Sequence, residues 1–103
     1  LAEGENCLGA IVADGWYRGY LAYKDQRNVF GDRLGLIAQL QISYEDGSTE
    51  VVVTDGSWKT TTEGPFRQAD YYMGVHYDAR MEIPGFMRPG FEDGALKNAE
   101  LLV

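Results

Sequence analysis

Leu34-Gly35-Leu36-Ile37-Ala38-Gln39-Leu40-Gln41-Ile42-Ser43-Tyr44-Glu45-Asp46-Gly47-Ser48-Thr49-Glu50-Val51-Val52-Val53-Thr54 is the stretch from which the fold is read. Leu34, Leu36, Ala38, Leu40, Ile42 and Tyr44 fall on one side of a period of two; Gly35, Gln39, Gln41 and Ser43 fall on the other, with Ile37 as the exception. That alternation belongs to a long strand with one buried face. Asp46-Gly47 interrupts it with residues that accept the positive φ of a tight turn, and the β-branched run Val51-Val52-Val53-Thr54 returns. An antiparallel hairpin is predicted.

Downstream, Asp55-Gly56-Ser57 reads as a second turn and Trp58-Lys59-Thr60-Thr61-Thr62 as a strand stopped by Glu63-Gly64-Pro65, making three consecutive strands. Upstream, Cys7-Leu8-Gly9-Ala10-Ile11-Val12-Ala13 is short, apolar and bounded by glycines, as expected of a central strand buried on both faces. Residues 74–83 alternate again, with Val75, Tyr77, Ala79, Met81 and Ile83 on one side and His76, Asp78, Arg80 and Glu82 on the other. Pro65, Pro84 and Pro89 punctuate strands rather than breaking helices. A short helical turn is allowed only over 68–72 or 91–97. The expected fold is all-β, an antiparallel jelly-roll-like β-sandwich forming one domain over residues 1–103.

At 103 residues the chain is the size of one hydrophobic core, and a net charge of −7 argues against nucleic acid, which draws on clustered Lys and Arg. Cys7 is the only cysteine, so no intrachain disulfide forms; its apolar surroundings predict a buried small hydrophobe rather than a reactive thiol. No apolar run is long enough to span a bilayer, so no membrane partner is expected, and no signal peptide is visible, which leaves the compartment open.

The residues able to carry chemistry are few. Asp14, Asp25, Asp32, Asp55, Asp70, Asp78, Glu92 and Asp93 offer carboxylates for glycoside hydrolysis, but Asp14, Asp32, Asp55 and Asp93 lie beside Gly in predicted turns, where Asp is favoured for local backbone bonding. His76 is the sole histidine, which excludes multi-histidine zinc sets, and its polar-face neighbours Asp78 and Arg80 are placed for a cross-strand ion-pair ladder. Trp16, Tyr17, Tyr20 and Tyr23 with Arg18 form an aromatic segment suited to stacking on sugar rings, with Asn28, Asp32 and Arg33 as polar contacts. Trp16 equally suits a buried packing anchor. No cofactor is expected; calcium is the one ion with candidate donors, at Asp25, Asn28 and Asp32, and the spacing lacks an Asp-x-Asp-x-Asp-Gly loop with a distal Glu.

Three ordered blocks, Asp14-Gly15-Trp16-Tyr17-Arg18-Gly19, Asn28-Val29-Phe30-Gly31-Asp32-Arg33 and Tyr77-Asp78-Ala79-Arg80, together with Tyr44-Glu45-Asp46-Gly47-Ser48 and Thr54-Asp55-Gly56-Ser57-Trp58-Lys59, resemble the N-terminal accessory domain of bacterial alpha-L-rhamnosidases over residues 1–96. The resemblance implies a non-catalytic part of a large modular glycoside hydrolase whose catalytic carboxylates sit on a separate helical barrel. It implies partners in the other domains of that enzyme and a rhamnose-containing glycoside as substrate, and an Asp-Arg pair at the corner Gly31-Asp32-Arg33. Together with a start at Leu1 rather than Met, it also implies an excised fragment that lacks the first strands of its sandwich, leaving a sheet edge open to self-association. Phe86, Met87, Phe91 and Leu96 are the candidate interdomain surface. Two roles stay open: a scaffold supporting substrate recognition beside the barrel, and an autonomous carbohydrate-binding module with its own rhamnose site.

Overall fold

In the computed structural model residues 1–21 and 26–102 are described, and Tyr23 and Asp25 lie outside them. The deciding stretch becomes strands β1 (Gln39–Ser43) and β2 (Thr49–Val53), antiparallel with Gln39 opposite Val53 and Ser43 opposite Thr49. Leu40 and Ile42 are half-buried between exposed Gln39, Gln41 and Ser43, so the alternation holds within the strand. Towards residue 34 it fails. Pairing continues only to Ala38, whose C=O accepts from the Thr54 N–H at 3.1 Å and whose N–H donates to Thr54 Oγ1 at 3.1 Å. Beyond that the facing chain turns away at Asp55, and Ile37 is 95% exposed.

The hairpin turn differs from the sequence expectation. Asn28 is the one non-glycine residue with positive φ among those described, so Asp46 does not take it; Gly47 alone does, at φ 84°. The Gly47 N–H donates to the Tyr44 carbonyl at 3.0 Å and the Tyr44 N–H to the Ser48 carbonyl at 2.9 Å, the bonding of a three-residue loop ending in a left-handed glycine. Asp46 instead accepts from the Ser48 N–H at 2.8 Å and hydroxyl at 2.5 Å, and the Ser48 hydroxyl chiefly holds its carboxyl below the usual range. Nothing lies within 4 Å of a Cβ placed on Gly47. Gly47→Ala is therefore expected to cost only the backbone penalty, about 1 kcal/mol, read as a small drop in the urea unfolding midpoint.

The predicted third strand does not extend this hairpin. Asp55 repeats the Asp46 arrangement, accepting from the Ser57 N–H at 2.8 Å and hydroxyl at 2.5 Å, and Trp58 Nε1 donates back to the Val53 carbonyl at 3.0 Å. The chain is thus folded across the end of β2. Strand β3 (Lys59–Thr60) pairs instead with β6 (Lys97–Asn98) near the C-terminus, supported by the Ala99 N–H on the Trp58 carbonyl at 2.7 Å and Asn98 Nδ2 on the Gly56 carbonyl at 2.9 Å.

Strands β4 (Phe66–Asp70) and β5 (Gly74–Tyr77) form a second hairpin, with Gln68 opposite His76 and Asp70 opposite Gly74. The helical turn allowed over 68–72 is therefore replaced by ladder and hairpin turn. The strand predicted over 74–83 ends at Tyr77, because Asp78 caps a 3₁₀ turn, Ala79–Met81, by accepting from the Arg80 N–H at 3.0 Å. The same carboxylate takes Arg80 Nε at 2.9 Å and Nη2 at 2.7 Å. The expected cross-strand ladder is thus a local pair, and the helical turn sits here rather than over 68–72 or 91–97.

The architecture is all-β, with every described pair antiparallel in three two-stranded sheets. Its interior is the larger surprise, since no hydrophobic side chain among the described residues is buried; Asp70, 9% exposed, and Gly19 are the buried positions. Residues 7–13 form no strand, Leu8 and Ile11 are 52% and 60% exposed, and Cys7 is exposed rather than buried. An apolar run of this kind needs neighbours on both sides, and no described strand pairs with it. The accessible surface of 8555 Å² exceeds the roughly 5,800 Å² of a compact protein of this mass. The radius of gyration, 16.8 Å, likewise exceeds the roughly 13 Å of a compact 100-residue domain.

Candidate functional site

Asp14 organises the aromatic segment. Its carbonyl accepts from the Arg18 N–H at 3.1 Å, its Oδ1 from Arg18 Nε at 2.6 Å, and Arg27 Nη2 lies 4.0 Å from Oδ2. Arg18 is therefore committed to Asp14 through Nε, leaving its terminal nitrogens for other contacts. The second sequence block docks on the first: the Asn28 N–H donates to the Arg18 carbonyl at 3.0 Å and the Phe30 N–H to the Tyr17 carbonyl at 3.4 Å. Asn28 turns there with φ 59°, a conformation asparagine tolerates better than most residues. A Cβ on Gly31 would meet the Tyr17 phenol, which would have to swing away to make room.

The turn is bolted to the β4–β5 hairpin. The Gly15 N–H donates to the Ala69 carbonyl at 3.0 Å, and the Trp16 and Tyr71 rings meet edge to face, 5.7 Å between centroids. Asp70 sits in the joint. Its Oδ1 accepts from the Met73 N–H at 2.6 Å and the Tyr72 N–H at 2.9 Å, and its Oδ2 from Gln68 Nε2 at 3.4 Å and the Tyr20 N–H at 3.5 Å. The Met73 N–H is the chief reason its carboxyl is held below the usual range, against the opposing effect of burial.

An open cavity of about 580 Å³ results, lined by Ala13, Asp14, Gly15, Trp16, Tyr17 and Tyr71. Trp16 is 53% exposed, not a buried packing anchor, and Tyr17 and Tyr71 are 48% and 77% exposed. Aromatic rings beside the Asp14 carboxylate suit the apolar faces and hydroxyls of a sugar. Tyr17 also borders a second cavity of about 350 Å³ with Val12, Arg33 and Leu102.

The six candidate residues are thus partly assembled. Trp16, Tyr17, Arg18 and Asn28 come together; Arg33 lies at the second cavity. The expected Asp-Arg corner is absent: Arg33 Nη2 bonds Glu100 Oε2 at 2.9 Å, and exposed Asp32 makes no ion pair among the described residues. Tyr71 was not legible as a site residue, and Asp70 was read only as one of eight candidate carboxylates, although Ala69-Asp70-Tyr71-Tyr72-Met73-Gly74 carries the signal of an Asp closing a turn before a hairpin glycine. Among the described residues no three acidic, His or Cys side chains converge; of the calcium candidates, Asp25 falls outside them. Asp46, Asp55, Asp70 and Asp78, the carboxyls whose acidity the structure perturbs, are all pushed down, the opposite of what a general acid needs.

Alpha-L-rhamnosidases from Alteromonas sp. (strain LOR) and Streptomyces avermitilis are each 40% identical to this chain, over 90% and 89% of its length, and one from Formosa agariphila is 33% identical over 90%. The chain spans about a tenth of these curated relatives: 10%, 9% and 10%. A crystal structure of the S. avermitilis alpha-L-rhamnosidase complexed with L-rhamnose superposes with a TM-score of 0.78 at 38% identity, covering 84% of this chain and 8% of that one. This likeness carries the antiparallel β-sandwich class. Residues 1–102 match the family described as the alpha-L-rhamnosidase N-terminal domain, and the chain belongs to that family.

Proposed function

We propose that this chain is the non-catalytic N-terminal domain of an alpha-L-rhamnosidase, packed against the other domains of that enzyme and supporting substrate recognition beside a catalytic barrel. Residues 1–103 then act as part of one β-sandwich unit, and cleavage of the rhamnose-containing glycoside falls to carboxylates elsewhere on the polypeptide. One observation carries the packing role: no hydrophobic side chain among the described residues is buried, while Leu8, Ile11, Val12, Phe86 and Met87 are exposed. Phe86 and Met87 lie over Gly9, and Cys7 Sγ is 3.7 Å from the Phe86 carbonyl, so the 7–9 segment and Phe86-Met87 form one apolar surface suited to an interdomain contact. Phe91 and Leu96 are half-buried and contribute less to it.

Cys7 reports on this directly. Its thiol is expected to react with a disulfide reagent at the rate of an exposed cysteine in the 103-residue chain and to be strongly protected in the full-length enzyme. Equal rates in the two would remove the packing role.

The exposed Trp16, Tyr17 and Tyr71 around the open cavity favour a second reading, an autonomous module with its own rhamnose site. Saturable shifts of the Trp16 indole signal when the isolated 103-residue chain is titrated with L-rhamnose support it, and an unresponsive signal excludes it.

A further inference from the structure

Asp70 is the one buried ionisable side chain among the described residues, and its two oxygens face in different directions. Oδ1 serves its own hairpin turn, accepting from Tyr72 and Met73; Oδ2 is turned to Gln68 and, fifty positions away in sequence, to the Tyr20 N–H. The bond to Tyr20 is long at 3.5 Å, but close packing reinforces it, since a Cβ on Gly19 would stand 2.5 Å from Asp70 Cβ. Residues flanking this joint carry the rings: Trp16 and Tyr17 on one turn, Tyr71 on the other. We propose that Asp70 is a positioning residue that holds Trp16 against Tyr71, so that the two turns present a single aromatic wall to a ligand. The sugar-facing part of this proposal rests on the recognition role proposed above; Tyr71 joins the wall as a residue that the aromatic segment alone does not contain.

Asparagine at position 70 separates the two functions of the carboxylate. Its single amide oxygen can still accept from Tyr72 and Met73, whereas its NH₂ group meets the Tyr20 N–H donor to donor. The experiment uses the full-length enzyme containing 5-fluorotryptophan, with the Trp16 and Trp58 resonances assigned by their loss in Trp16→Phe and Trp58→Phe. Tyr71→Ala supplies the position of a Trp16 without its partner. Asp70→Asn is expected to move the Trp16 resonance towards that position, to leave Trp58 unmoved, and to raise the L-rhamnose concentration for half-saturation of the Trp16 shift about three- to tenfold. Wild-type resonance and half-saturation in Asp70→Asn overturn the proposal, as do parallel movements of Trp16 and Trp58, which would mark a general loss of structure. If the wild-type Trp16 resonance ignores L-rhamnose while Asp70→Asn still moves it alone, the sugar role falls and the positioning of Trp16 by Asp70 stands.

Discussion

Gly19→Ala is expected to destabilise the chain by about 3 kcal/mol, the upper end of what overpacking usually costs. Backbone conformation is not the reason, because Gly19 is absent from the glycines with positive φ. The reason is space. An added Cβ would overlap the Gly15 carbonyl oxygen and stand 2.5 Å from Asp70 Cβ and 3.1 Å from its Cγ. None of these atoms is the free end of a flexible side chain. The carbonyl belongs to the turn itself, and Asp70 is fixed by its bonds to Tyr72 and Met73. Relief therefore requires the turn and the hairpin to part, taking the Gly15–Ala69 bond with them. Urea unfolding should place the Gly19→Ala midpoint well below that of Gly47→Ala, whose methyl enters open space. Equal midpoints would show that the joint yields without cost.

Asp70→Ala should produce the second large loss, and one that depends on pH in a defined direction. Alanine leaves the Met73, Tyr72 and Tyr20 N–H groups without their carboxylate acceptor at a buried position, where an unmade bond costs more than a made one contributes. The folded-state acidity of Asp70 is strengthened, first by the Met73 N–H. A depressed carboxylate stabilises the fold fully above the ordinary carboxylate range, and that stabilisation drains away as pH falls through the lower folded-state value. The gap in unfolding midpoint between wild type and Asp70→Ala should therefore be constant near neutrality and shrink in acid. Asp46, Asp55 and Asp78 are depressed as well, so both proteins lose stability in acid, and only the gap isolates Asp70. A gap independent of pH would mean that shape rather than charge fills the position.

What the sequence made legible was local. The β1–β2 hairpin could be read because alternation and an Asp-Gly turn are written within twenty residues, and the Asp55 turn for the same reason. Pairings between distant segments were not. Nothing in Trp58-Lys59-Thr60 specifies Lys97-Asn98 as its partner, and the redirecting contact, the Trp58 indole on the Val53 carbonyl, depends on a rotamer. Residues 74–83 kept a period of two through Ile83, but Asp78 had a competing local use for its carboxylate, and the cap won over the ladder. In the site, Trp16 to Arg18 stood out by composition, while Tyr71 did not, because its membership comes from the docking of two turns fifty residues apart. Residues 7–13 failed differently: their composition calls for strand neighbours that none of the described strands supplies.

An apolar face without a cover has different consequences for a tethered and a free domain. Within one polypeptide, a neighbour on a short connection is present at a millimolar effective concentration, so even a weak contact is kept closed and the exposed side chains need no special solubilising design. Released from such a tether, the same face sees only what diffuses to it, and at laboratory concentrations that is chiefly another copy of itself. Association of the free chain should then rise with its concentration, and yield in production would be set by how dilute the chain is kept as much as by how well it folds.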